Sequence, residues 1–241
     1  MQLRDRVAVI TGASRGIGRA TALALAGEGA RIVASARTAS ELDALVDELQ
    51  GSGHEALAVA ADLTQEAEVE RLRAATNEAF GPADLLINNV GVGKYCAVEA
   101  TTAAEYDWMM NSNMRSTFLC TNAFLPDMLT RRSGHLIFVN SVAGLRGLPH
   151  EAVYCATKFA QYGFAQAIDA EVRRRGIRVS VVAPGGVHTT FAFGTGREPG
   201  DAHLEKMMSP TEVADAIRYT AIQPESTRVF LVGLRPMAEP M

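Results

Sequence analysis

Tyr154 and Lys158 stand four positions apart in Tyr154-Cys155-Ala156-Thr157-Lys158. The surrounding pattern predicts a long helix, and that spacing puts both side chains on one helix face, a turn apart. A free phenol, with a pKa of about 10, is a poor acid–base catalyst at neutral pH, and a fixed cation beside it favours the phenolate and lowers that value. The pair can therefore work as a tuned proton donor. An ordinary surface Tyr and Lys would show the same spacing, so the residues that accompany them decide. Cys155, one residue along, points about 100° away on a helix and reads as packing. Cys96 and Cys120 carry no catalytic signature.

Short apolar runs must position such a helix. Residues 7–10, 31–36, 56–60, 84–88, 135–140, 178–182 and 228–232 read as strands, with amphipathic helical patterns between them. Runs rich in Val, Ile and Leu without clean polar alternation predict a sheet covered on both faces, joined by right-handed βαβ crossovers. The expected fold is α/β: a Rossmann-like, doubly wound parallel sheet of about seven strands, in a single domain over residues 1–241. Residues 189–208 break the rhythm. They mix Gly194, Gly196, Pro199 and Gly200 with Phe191 and Phe193, which suits a substrate-binding lid, although a plain surface loop would use many of the same residues.

The composition narrows the function. A formal net charge of −4 gives no basic footprint for nucleic acid, and 48% hydrophobic with 21% charged residues is ordinary for a globular chain. The three cysteines are scattered, without CxxC spacing, which argues against a disulfide framework or zinc site and for a reducing cytoplasm. Residues 1–6 lead straight into an apolar strand, so neither export nor a membrane anchor is expected. His54, His135, His150, His188 and His203 include no i, i+4 pair, and a metal-free mechanism is expected.

Thr11-Gly12-Ala13-Ser14-Arg15-Gly16-Ile17-Gly18 follows the first strand and opens the first helix. Glycines there let the backbone approach a pyrophosphate, while free N–H groups and the helix dipole favour negative charge. The spacing is G-x-x-x-G-x-G, and no Lys-Ser/Thr follows to make a Walker loop. An acidic residue about 20 positions on would bind the ribose 2′-hydroxyl of NAD. Here the second strand ends in Arg37, and Arg15 sits in the glycine turn, so two guanidinium groups can meet a 2′-phosphate. NADP(H) is the expected cofactor.

With these motifs assembled, the sequence resembles the short-chain dehydrogenase/reductase superfamily in its short core form, over residues 6 to 190. The resemblance rests on an ordered series: the glycine turn, Asp62-Leu63, Asn88-Asn89-Val90-Gly91, Asn113, Ser141, Tyr154 with Lys158, and Pro184-Gly185. It implies that Tyr154 is the general acid in carbonyl reduction, or the base in alcohol oxidation, while Ser141 hydrogen-bonds the substrate oxygen. Lys158 would bind the nicotinamide ribose and lower the Tyr154 pKa, and Asn113 would hold a water leading to a proton relay. Gly12, Ser14, Arg15, Gly16, Ile17, Gly18 and Arg37 would bind the cofactor. So would Asp62 and Leu63 at the adenine, Asn89 towards the adenosine, Gly91, Pro184 and Gly185, with Thr189 and the backbone near Val187 at the carboxamide. Asp62 or Asn113 could instead cap a helix, and Ser141 could be packing in a turn.

The same resemblance implies a homodimer or homotetramer, for which Phe118, Phe159, Phe164 and Ile168 are compatible contacts. Three departures stand out. Val90 replaces the usual Ala, Gly186-Val187-His188 falls where relatives vary, and the C-terminus lacks the Asp-Gly-Gly common in oxoacyl-carrier-protein reductases. The expected activity is NADP(H)-dependent interconversion of a carbonyl and an alcohol on a small ketone or aldehyde. A 3-oxoacyl-[acyl-carrier-protein] reductase is the alternative, with Arg131-Arg132 and Arg173-Arg174-Arg175 as the docking charge. A non-catalytic NADP(H)-binding regulator is the alternative from another class.

Overall fold

The structure is a computed structural model that describes residues 3–239. Among these, seven strands form one sheet: β1 (Val7–Thr11), β2 (Arg31–Ala36), β3 (Ala56–Ala60), β4 (Leu85–Asn88), β5 (Gly134–Val139), β6 (Ile177–Pro184) and β7 (Leu231–Leu234). Their order is β3-β2-β1-β4-β5-β6-β7, and every neighbouring pair is parallel. Seven α-helices accompany them: α1 (Gly16–Gly27), α2 (Ala39–Gly51), α3 (Glu66–Phe80), α4 (Ala103–Met110), α5 (Ser116–Arg131), α6 (Ala152–Val172) and α7 (Pro210–Ala221).

The unbroken apolar runs of the strands have a direct cause. Successive side chains point to opposite faces, and both faces are covered. Ala8, Ile10, Ile32 and Ile87 enter a core with Leu25 of α1, Leu45 of α2 and Ile217 of α7. Val7, Val9, Val33 and Leu86 enter a second core with Leu72 of α3, Phe124 of α5 and Ile168 of α6. The strand order reverses direction at β1, between β2 and β4. In open α/β sheets a ligand crevice forms outside the carboxyl ends of the strands at that switch point.

The seventh strand differs from its expected position at 228–232. Arg228 is drawn to Asp169 at 2.6 Å, and the Val229 carbonyl accepts from the Ser180 hydroxyl at 2.6 Å. Regular pairing with β6 therefore begins at Leu231. A single wide turn of π type, Asn111–Arg115, joins α4 to α5. Such turns insert an extra residue into a helix and recur at functional sites; this one carries Asn113, which is fully buried. Among the described residues no helix is long and apolar enough to cross a membrane.

Candidate active site

The glycine turn is built by backbone constraint. Gly12 and Gly16 have φ of 64° and 55°, the left-handed region where a Cβ is disfavoured. Gly18 has a different reason to be glycine: a Cβ there would lie 2.2 Å from the Gly12 carbonyl oxygen. Asn89 fixes this turn to the sheet, its side-chain amide donating to the carbonyls of Thr11 at 2.9 Å and Gly12 at 3.1 Å. The Thr11 hydroxyl accepts from the Asn89 backbone N–H at 2.9 Å. Expected at the adenosine end, Asn89 thus spends its side chain on shaping the turn.

A cavity of about 610 Å³ begins at this turn and ends at Tyr154. Of the site residues read from the sequence, all line it except Gly18 and Asn113, which stand behind the wall. Arg15 and Arg37 are exposed at one end, and among the described residues neither forms an ion pair; Glu41 lines the same end. Asp62 does not cap α3. Its carboxylate accepts from the Thr64 N–H at 3.0 Å and the Thr64 hydroxyl at 2.8 Å, while Gln65 is the N-cap. Thr189 lies against the glycine turn, since a Cβ on Gly16 would meet its methyl at 3.2 Å.

Ser141, Tyr154 and Lys158 converge at the opposite end. Asn140 organises them: its Oδ1 accepts from the Ser141 N–H at 2.7 Å and its Nδ2 donates to the Lys158 carbonyl at 3.0 Å. The loop after β5 is thereby locked to α6. The Ser141 hydroxyl accepts from the Ala143 N–H at 3.1 Å and also hydrogen-bonds the Tyr154 phenol. Lys158 donates to the Val139 carbonyl at 3.1 Å and sits 5.9 Å from the centroid of the Tyr154 ring. Burial lowers the Lys158 pKa to about 7.

The phenol itself is pushed up, first by burial and next by the neighbouring Tyr95; the Ser141 hydrogen bond and the Arg197 charge pull the other way. The lowering expected from Lys158 does not set the phenol in this geometry: burial raises it, and the same desolvation disfavours the ammonium. Asn113 anchors loop backbone. Its side chain accepts from the Val92 N–H at 2.7 Å and donates to the Val92 carbonyl and the Thr157 hydroxyl, each at 2.9 Å. Its own carbonyl accepts from Gln161 at 2.9 Å and Thr117 at 2.7 Å.

Residues 189–208 close this end. Phe191 packs on the Tyr154 ring at 5.7 Å, and Tyr95 packs edge-on to it at 6.0 Å. The segment is tied to the 93–96 loop by the Tyr95 N–H to the Thr195 carbonyl at 2.8 Å and the Thr195 hydroxyl to the Gly93 carbonyl at 2.7 Å. His188 is exposed, with its backbone N–H on the Met208 carbonyl at 2.8 Å.

The family model for short chain dehydrogenases matches residues 6–198. This chain belongs to the short-chain dehydrogenase family. It is a nicotinamide-dependent oxidoreductase acting on CH–OH donors. It is 36% identical over 230 residues to a 3-oxoacyl-[acyl-carrier-protein] reductase from Synechocystis, covering 94% of this chain and 93% of that one. It is 34% identical over 238 residues to a sepiapterin reductase from Chlorobaculum tepidum, covering 95% and 96%. Among solved structures, an alcohol dehydrogenase from the archaeon Thermococcus sibiricus, complexed with 5-hydroxy-NADP, matches with a TM-score of 0.90 and 31% identity over 98% of each chain.

The dehydrogenase cavity fits a nicotinamide dinucleotide. Positive φ at Gly12 and Gly16 keeps Cβ atoms out of the turn, two unpaired guanidinium groups stand at one end, and a bonded hydroxyl and phenol stand at the other. Asn140, Tyr95, Arg146, Glu151, Arg197 and Glu239 also line the dehydrogenase cavity with no individual role read from the sequence, although Arg197 falls in the expected lid at 189–208. Only Asn140 carried a local signal, as a polar residue ending a buried strand directly before Ser141. The other five reach the cavity through tertiary contacts alone.

Proposed function

We propose that this enzyme uses NADP(H) to reduce a small ketone or aldehyde to its alcohol. The observation that carries the reading is one continuous cavity with Arg15 and Arg37 at one end and the bonded Ser141–Tyr154 pair at the other. Arg15 and Arg37 would hold the 2′-phosphate through planar, permanently charged forks. Gly12, Ser14, Gly16 and Ile17 would line the pyrophosphate; Asp62 and Leu63 would flank the adenine. Lys158 would hold the nicotinamide ribose, with Pro184, Gly185, Val187 and Thr189 beside the carboxamide.

When bound, the nicotinamide supplies a hydride that reduces the carbonyl carbon by two electrons as NADPH becomes NADP⁺. Ser141 donates a hydrogen bond to the carbonyl oxygen where negative charge develops. Tyr154 then gives that oxygen its proton, and solvent reprotonates the phenol. The phenol carries its proton at neutral pH and can pass it to the more strongly basic alkoxide. Residues 189–208 act as the lid that excludes water above Tyr154. Phe118 and Phe159 are each 46% exposed, whereas Ile168 is buried; the two exposed rings on α5 and α6 mark the surface for pairing with a second copy.

Similarity to a 3-oxoacyl-[acyl-carrier-protein] reductase favours a second reading in which the carbonyl arrives as a carrier-bound thioester. Of the arginines available for docking, Arg131 is committed to the Pro82 carbonyl and Arg173 to Asp169. That leaves Arg132, Arg174 and Arg175. Initial rates of NADPH and NADH oxidation with small aldehydes, ketones, diketones and an acetoacetyl thioester separate the readings. Turnover of the free carbonyls with NADPH preferred is expected. Thioester-only turnover selects the second reading, and tight NADPH binding with no turnover on any of them would leave a binding protein.

A further inference from the structure

Arg197 puts a cation at the substrate end of the cavity. Its guanidinium lies over the ring of Tyr95 at 5.7 Å and that of Phe191 at 5.8 Å, and both rings pack on Tyr154. One aromatic ring therefore separates the cation from the phenol. The placement is built into the chain. Arg197 exchanges backbone hydrogen bonds with Ala192 and Gly194, at 3.0 and 3.1 Å, in a turn with positive φ at Ala192, Gly194 and Gly196. A Cβ on Gly196 would meet that of Tyr95 at 2.5 Å, so glycine alone lets the turn press this close.

The guanidinium is only partly used. Nη1 donates to the Val187 carbonyl at 3.2 Å, and the group also hydrogen-bonds the Tyr95 hydroxyl. Among the described residues no carboxylate forms an ion pair with it. Two carboxyl groups stand at this end. Glu239 accepts from the Gly186 N–H at 3.0 Å and pairs with Arg146 at 3.7 Å and Arg235 at 4.0 Å. Burial pushes the Glu151 carboxyl up, while the nearby Arg197 charge pulls it the other way without a direct ion pair between them among the described residues. A permanent cation stacked on aromatic faces, with donors to spare, is suited to a planar oxyanion.

We propose that Arg197 receives a carboxylate carried by the substrate itself, so that the carbonyl compounds this enzyme reduces best are small oxo acids. The ketone would sit at Ser141 and Tyr154 and the acid group on the guanidinium. This rests on the reading of the chain as a carbonyl reductase. Each catalytic cycle converts one oxo acid, one NADPH and one proton into one hydroxy acid and NADP⁺.

Matched pairs test it: acetoacetate against methyl acetoacetate, and 4-oxopentanoate against its methyl ester, each followed by NADPH oxidation. At least one acid should exceed its ester by roughly 10- to 100-fold in kcat/KM, the range a charge-assisted hydrogen bond supplies. Arg197→Met should lower that acid-to-ester ratio by about tenfold or more, and Arg197→Lys should retain part of it. Esters reduced as well as acids by the native enzyme would overturn the assignment. So would Arg197→Met lowering both alike. No NADPH oxidation with acids, esters or neutral ketones would instead bring down the carbonyl-reductase reading beneath it.

Discussion

At the glycine turn the wall of the cavity is backbone, whereas at the lid it is side chain. Gly12 and Gly16 hold the left-handed φ that disfavours a Cβ, Gly18 has no room for one, and Asn89 clamps the turn with two hydrogen bonds. Tyr95, Phe191 and Arg197 instead meet one another through ring contacts between two loops distant in the chain. A backbone wall suits a ligand that every member of a family shares. A side-chain wall can be changed one residue at a time, which suits selection among substrates.

Substitutions at the two ends should fail in different ways. Ser141→Ala removes the donor to the carbonyl oxygen and should lower kcat by roughly 10²–10³, with NADPH affinity kept; steady-state rates with a fluorescence titration of NADPH check this. Gly18→Ala drives a methyl into the Gly12 carbonyl and should cost roughly 1–3 kcal/mol. It should show a melting temperature several degrees lower and weakened NADPH binding, because the turn must open. Arg37→Ala should narrow the preference for NADPH over NADH by roughly tenfold in kcat/KM, whereas an unaltered preference would move the 2′-phosphate elsewhere.

The smallest effect concerns pH. Lys158 has a folded pKa of about 7, lowered by burial from 10.5. Between those values the unfolded chain binds more protons than the folded one, so stability rises with pH across that window. Below about pH 7 the ammonium is charged in both states and its full burial cost opposes folding. Lys158→Met lacks this cost. Its advantage in melting temperature over the native chain should be largest near pH 7 and shrink by a few degrees towards pH 10.

The backbone-determined features are legible in the sequence and the side-chain contacts at the lid are not, for physical reasons. Strands β1 to β6 are legible because burial on both faces demands unbroken apolar runs. β7 slips by three residues because Ser180 and Asp169 capture the backbone of Val229 and the side chain of Arg228. Ser141, Tyr154 and Lys158 are legible through order and spacing. Asn113 is singled out by the resemblance, yet its grip on Val92 and Thr157 depends on the wide turn at Asn111–Arg115, which no residue type announces. Arg197 and Tyr95 lie about a hundred residues apart and carry no shared pattern. Their juxtaposition is tertiary.

The most direct test of Tyr154 as proton donor is one variant measured twice. Tyr154→Phe keeps the ring against Phe191 and Tyr95 and removes only the hydroxyl. It should bind NADPH as the native enzyme does and lose turnover of the best carbonyl substrate by roughly 10³-fold, within the range for a general acid. Turnover at the native rate with binding intact would contradict that assignment.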